Sequence, residues 1–361
     1  MMICIYNAKV YTMNGPVIEN GYVTIKDGKI ADVGKMQDYK CNTCSCVKID
    51  AEGQLLLPGF IDAHSHLGLI ESSIGFEGSD VNEMTDPNTA HMRGIDGFNP
   101  LDITVDEALQ AGVTSAAVGP GSANVIGGTF AVVKTYGKRV DEMVYCDPVA
   151  MKCAFGENPK RVYNAKKKMP STRMGTAAIM REALAKTQQY LAKIEAAGED
   201  LSKYPAYDAK CEALLPVLKR EIPLKAHAHR ADDMFTAIRI AKEFNIRYTL
   251  EHATEGHLIA EELAAENAAC VVGPSFGHRS KFELQEKTFK TPGILSRAGV
   301  KVAITTDSPV VPLNYLPMMA ALAFEAGMDK MEALKAITIN AAQILGVDQL
   351  VGSIEIGRAH V

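Results

Sequence analysis

The chain has 361 residues, 47% of them hydrophobic and 22% charged, and its 38 basic and 43 acidic side chains leave a net charge of −5. That composition excludes a collagen, a coiled coil and a disordered acidic tail, and without a basic block the chain is not expected to bind nucleic acid, because phosphate contacts need clustered Lys and Arg. No run of about 18 apolar residues occurs, so no membrane-spanning segment is expected.

The opening residues, MMICIYNAKVYTMNG, carry no basic head and no long apolar run, so no signal peptide is read in them. Eight cysteines in 361 residues make no disulfide scaffold. Reduced thiols and a cytoplasmic location are the expectation. Residues 1–56 read as short strands. VTIK and KIADV alternate on either side of Asp27-Gly28, the signal of a type I′ hairpin, which predicts a small β module ahead of the main domain. Cys41, Cys44 and Cys46, in CNTCSC, admit a zinc or redox site. A surface loop between strands is preferred, because no second ligand pair lies near in sequence.

From residue 57 apolar runs alternate with helical periodicity. Candidate strands follow at 59–66, 113–119, 130–136, 148–155, 224–229, 246–252, 269–275 and 300–307. Amphipathic helices are expected at 171–197, 231–244, 255–267 and 290–298, the first capped by Ser171 and stopped by Gly198. Eight strands with helices between them predict a (β/α)₈ barrel, although the third and fourth candidates are joined by a short connection. Residues 157–222 form a long excursion read as a lid. Residues 69–100 form a polar one after the first strand, where barrel loops build an active-site mouth. PGSANVIGG (120–128) lacks the Lys-Ser/Thr of a P-loop and the spacing of a dinucleotide fingerprint, and reads as a tight turn.

Four strand ends carry the chemistry. His64 and His66 are two residues apart, so alternation turns both to one face. His227 and His229 end the fifth candidate strand, His252 the sixth and Asp307 the eighth. Charged or polar groups buried in a barrel mouth are costly unless paired or ligated, and imidazole with carboxylate suits a divalent ion such as zinc.

PGFIDAHSH, the later histidine-ended strands and TTDSP closely resemble the amidohydrolase superfamily of metal-dependent hydrolases, and within it the imidazolonepropionase-like amidohydrolases. The resemblance covers almost the whole chain. It implies a barrel over 57–349 and a small composite β-sandwich from residues 1–56 with 350–361. It further implies that His64 and His66 bind the more buried metal, that His227 is the fifth-strand ligand and that His252 ligates or meets substrate. Asp307 would ligate and take the proton of the attacking water. His229 competes with His227, whose His-Ala context is the superfamily's usual one; His229 then supports the ligands from behind or faces substrate. The fourth strand would bridge two ions through a carboxylated Lys or a Glu. Lys152 is favoured by its depth in the strand and by the run KCAFG, with Glu157 the alternative. The two differ by an odd number, so a regular strand turns only one of them inward. If neither bridges, the site holds one ion. Zinc is the expected metal, with manganese and iron as alternatives.

Arg173, Arg230, Asn158 and His278 are candidate substrate contacts, while His91 and His257 read as structural or solvent-facing. The implied activity is hydrolysis of a C–N bond in a small substrate, a cyclic or peptide-like amide. An aminohydrolase that releases ammonia from a heterocycle is the rival on the same fold. A catalytically silent barrel subunit is the rival of another class. Oligomeric state is open, a homo-oligomer included.

Relatives in that superfamily continue past GSIE into further strands, whereas this chain stops at GSIEIGRAHV. Ile356–Val361 are expected to be foreign to the gene, because ATCGGAAGAGCACACGTC encodes IGRAHV and resembles a sequencing adapter. The sandwich would then be incomplete at its C-terminal side, with an unpaired sheet edge. Sequencing the source locus tests this, and a genomic stop codon straight after Val361 overturns it.

Overall fold

In the computed structural model, which describes residues 2–40 and 46–359, the N-terminal sheet is organised by one two-residue turn. Asp27 and Gly28 take φ angles of 52° and 76°, the left-handed pair that a type I′ turn requires. Strands β1 (Met2–Val10), β2 (Ile18–Lys26), β3 (Lys29–Lys35), β4 (Cys46–Asp50) and β5 (Leu55–Leu56) form one sheet. Its order is β3-β2-β1-β4, with β5 also on β1. Residues near the C-terminus return to it: Ile354 N–H donates to Thr12 O at 3.0 Å and Ile30 N–H to Arg358 O at 3.0 Å. Ile354 packs with Ala8, Val10, Val23, Ile25 and Ile30. Cys41 and Cys44 lie outside the described residues.

The second sheet has eight strands in sequence order. These are β6 (Phe60–Ser65), β7 (Val113–Val118), β8 (Ile126–Lys134), β9 (Val144–Ala154), β10 (Leu224–Ala228), β11 (Tyr248–His252), β12 (Ala269–Val272) and β13 (Lys301–Ile304). It curls into a nearly closed barrel, so that side chains of the first strand meet the chain leaving the last. Asp62 Oδ1 accepts from His64 N–H at 3.0 Å, and Oδ2 accepts from Thr306 N–H and Oγ1–H at 2.9 and 2.7 Å. Thr305 Oγ1–H donates to His64 O at 2.6 Å. This seam ties the segment of His64 to that of Asp307.

The regular (β/α)₈ pattern fails at one strand. β8 runs antiparallel to both β7 and β9. Its connections are 119–125, without a helix, and 135–143, with only the short helix Val140–Met143. A parallel crossover needs about a dozen residues or more, so these links force reversal. β8 also begins earlier than expected, and Ile126–Gly128, read as part of a turn, belong to the strand.

Three further expectations are corrected. The long helix spans Arg173–Ala197, and its N-cap is Thr172, whose side chain accepts from Gly175 N–H at 3.0 Å. Ser171 instead donates to Lys168 O. The excursion 157–222 is mostly helical and is no free lid. Ile179, Met180, Leu184, Leu214 and Val217 pack in one core with Leu224, Ala226 and Ile238, so it sheathes the barrel's outer face. The expected helix 255–267 is broken into a 3-10 turn, Gly256–Leu258, and a helix, Ala260–Ala265. No helix among the described residues is long and apolar enough to cross a membrane.

Phe130 on β8 is fully buried inside the barrel, its ring centroid 5.3 Å from that of His64 and 5.6 Å from the Nζ atoms of both Lys152 and Lys225. Gly119 gives it room: a Cβ there would lie 2.2 Å from the ring. Phe130→Ala is expected to lower stability by about 3–5 kcal/mol, read as a shift in the urea midpoint at unchanged slope.

Candidate metal centre

Two groups of ligand-type side chains meet at the barrel mouth. His64, His66 and Asp307 form one, and His227, His229 and His252 the other; within each, one donor atom per residue lies within 4.8 Å of the rest. The groups adjoin, with ring centroids of His64 and His252 5.0 Å apart. Asp307 Oδ1 stands 3.3 Å from His66 Nε2 and 3.5 Å from His64 Nε2. His252 and Asp307 have φ of 72° and 52°. Left-handed backbone is uncommon for such residues and gathers at functional sites.

All five imidazoles are anchored through Nδ1. His64 meets Glu251 Oε2 at 2.7 Å, His66 meets Gly119 O at 2.7 Å and His252 meets Gly273 O at 2.8 Å. His227 meets Ser122 Oγ at 2.9 Å and His229 meets Thr254 Oγ1 at 2.7 Å. A carbonyl only accepts, so His66 and His252 carry a proton on Nδ1, and the Nε2 lone pair is free when the ring is neutral. His252 Nε2 is buried without a hydrogen-bond partner. Anchoring one ring nitrogen is how metal sites fix imidazole orientation. The donor set fits a divalent cation of the zinc type.

The electrostatics agree with ligand duty. Burial, with the charges of Lys152 and Lys225, holds His64 well below the usual imidazole pKa. Burial and the neighbouring rings do the same for His227 and His229, and burial lowers His252. For Asp307, burial acts upward but is outweighed by His252, His66 and Lys152, which hold the carboxyl at about 2.

Lys152 is fully buried on β9, its Nζ 3.0 Å from His64 Nε2. Burial brings its pKa down to about 8, against the pull of Asp307 and Glu251. Glu157 is elsewhere. It opens the helix Glu157–Ala165, and its carboxylate lies 3.5 Å from the Glu283 backbone nitrogen and 4.0 Å from Arg161.

The groups open into a cleft of about 540 Å³, with His66, His227, His229 and Asp307 on its wall. Asn158 and His278 also line it, and Asn158 Nδ2 lies 3.3 Å from His227 Nε2. Arg173 and Arg230 do not. Arg173 pairs with Asp233 at 2.9 Å, and Arg230 with Asp232 at 2.9 Å while lying over Phe282. His91 is exposed and His257 is bonded to Thr291.

Sequence reasoning missed Glu251, Lys225 and Glu283. Glu251 bridges His64 to Lys225 Nζ (2.9 Å), and all three are buried. Strand alternation sets Glu251 and His252 on opposite faces; the left-handed φ of His252 ends that alternation and lets both serve one site.

A family model described as "Amidohydrolase family" matches residues 55–359. The crystal structure of an amidohydrolase from Thermotoga maritima MSB8 aligns with a TM-score of 0.95 and 42% identity, over 99% of this chain and 92% of that one. Amidohydrolase tasK of Hapsidospora irregularis is 29% identical over 94% of this chain, which spans 36% of that longer protein. The imidazolonepropionase of Sphingopyxis alaskensis is 26% identical over 98% of this chain and 89% of its own length.

Proposed function

This chain belongs to the amidohydrolase family and hydrolyses carbon–nitrogen bonds, and from that premise we propose that it cleaves an amide or cyclic amide of a small substrate at a divalent metal centre. The observation that carries the reading is the adjoining pair of ligand groups, His64–His66–Asp307 and His227–His229–His252, beside a buried Lys152. These residues would hold two ions, zinc first among them. Bound there, the metal supplies Lewis acidity, which makes water nucleophilic near neutral pH and polarises the scissile carbon.

The remaining steps belong to the chain. Asp307, held ionised, takes the proton of the attacking water and returns it to the leaving nitrogen. Lys152 reacts with CO₂: its neutral nitrogen bonds to the carbon and loses one proton, leaving a carbamate that joins the two groups. Its lowered pKa of about 8 supports this, since far more of the amine is neutral at pH 7 than in a free lysine. Asn158 and His278 contact substrate from the cleft wall. Arg173 and Arg230, committed to aspartates, have no part in it.

The test is metal content by mass spectrometry, on protein purified without chelator and offered zinc and manganese. About two ions per chain is the expected result for a bridged centre. About one ion would favour a mononuclear centre and an aminohydrolase. No metal in folded protein overturns the reading.

A further inference from the structure

We propose that Glu283 is a further metal ligand, a carboxylate for the ion held by His227 and His229. The proposal rests on the metal reading above and adds to it a residue from outside the strand ends.

Glu283 lies in the 3-10 turn Phe282–Leu284, in the segment after β12, yet it is only 1% exposed. A loop carboxylate drawn into a barrel mouth needs a partner there, because an ionised group is costly to bury alone. Its two oxygens are used differently. Oε2 accepts from Glu157 N–H at 3.0 Å. Oε1 points inward, 3.7 Å from His227 Nε2 and 3.6 Å from His229 Nε2. It forms a 2.7 Å ion pair with Lys281. Those two spacings exceed the roughly 2.7–3.2 Å of a hydrogen bond. Atoms that share a tetrahedral ion at about 2.1 Å stand roughly 3.4 Å apart, close to what is seen.

The backbone is shaped around this carboxylate. Gly156, at the end of β9, has φ 76°, and a Cβ there would lie 2.7 Å from Glu283 Oε2 and 2.9 Å from Asp233 Oδ2. Only glycine both adopts that φ readily and leaves the space. The Lys281 pairing explains part of the charge but not the aim of Oε1 at two imidazole nitrogens. Lys281 Nζ also has a second acceptor, Asn158 Oδ1, at 2.9 Å.

The experiment compares the full chain with Glu283→Gln and Lys281→Met. Zinc affinity is read by competition with a chromophoric chelator, stoichiometry by mass spectrometry, and the centre itself by the electronic spectrum of the cobalt-loaded protein. Gln keeps the shape and an oxygen for the Glu157 N–H. Glu283→Gln is expected to bind one of two ions at least about tenfold more weakly and to change the cobalt spectrum. Lys281→Met is expected to bind as tightly as the parent or tighter, since an ammonium repels a nearby cation. Glu283→Asp, which keeps the charge but withdraws it by one methylene, is expected to weaken the same ion and covers the case in which the Gln variant does not fold. The proposal is overturned if Glu283→Gln or Glu283→Asp retains parental stoichiometry, affinity and spectrum. It is also overturned if Lys281→Met weakens binding as much as Glu283→Gln does, for Glu283 would then serve only to pair with Lys281. A parent chain that binds no metal fails the earlier reading; a two-ion parent with unaltered Glu283 variants fails this inference alone.

Discussion

Asp307→Asn is expected to lower kcat about 10²–10⁴-fold, the range of a positioned general base. The side chain sits at the left-handed turn that follows β13, with Oδ1 3.3 Å from His66 Nε2 and 3.5 Å from His64 Nε2. Its carboxyl is held at about 2 and is therefore ionised at any working pH. Asn preserves size and one oxygen but carries no charge, so it cannot take the proton of the attacking water. The measurement is kcat and KM on a C–N substrate that the parent turns over, drawn from a panel of lactams, dipeptides and aminoheterocycles, with metal content determined alongside. The loss should fall on kcat far more than on KM, because the interaction is made in the transition state. A variant that keeps its metal and a kcat within about threefold of the parent would remove Asp307 from the reaction.

Lys152→Met is expected to cost one of the two ions and most of the turnover, about 10²-fold or more. Met fills the apolar space beside Phe130 that the lysine stem occupies, so the barrel should still fold. Glu157→Ala is expected to leave metal content unchanged, because that carboxylate faces Arg161 and the Glu283 backbone. Carbamate formation also has a pH direction. The amine is neutral above its pKa of about 8, so at a fixed concentration of dissolved CO₂ the CO₂-stripped protein should recover faster at pH 9 than at pH 7. Labelled bicarbonate and ¹³C NMR report the adduct directly. Two ions retained in Lys152→Met, with one lost in Glu157→Ala, would transfer the bridge to Glu157.

Much of the candidate site was legible because period-two alternation and burial act locally. His64 and His66 declare themselves by spacing, and His227, His229 and Asp307 by ending apolar runs. All eight candidate strands overlap a strand of the barrel sheet, since apolar β-branched runs between helices have few other places to go. The reversal of β8 follows from its two short connections, of which the sequence shows the one between the third and fourth candidate strands. Arg173 and Arg230 lie off the cleft wall because a guanidinium is drawn by whichever carboxylate folds beside it, here Asp233 and Asp232.

The sequence by itself determined the strand periodicity, the type I′ turn at Asp27-Gly28 and the histidines and aspartate that end strands, because each follows from contacts within a few residues. Only the tertiary structure decided which oxygen each Nδ1 would meet, that Asp62 would tie Thr306 to the segment of His64, and that Lys152 rather than Glu157 would stand beside His64. It alone brought Glu251 to His64 across 187 residues and turned the loop carboxylate of Glu283 toward His227 and His229. Those placements depend on barrel closure and on the path of long loops, and no local rule of spacing or propensity encodes either.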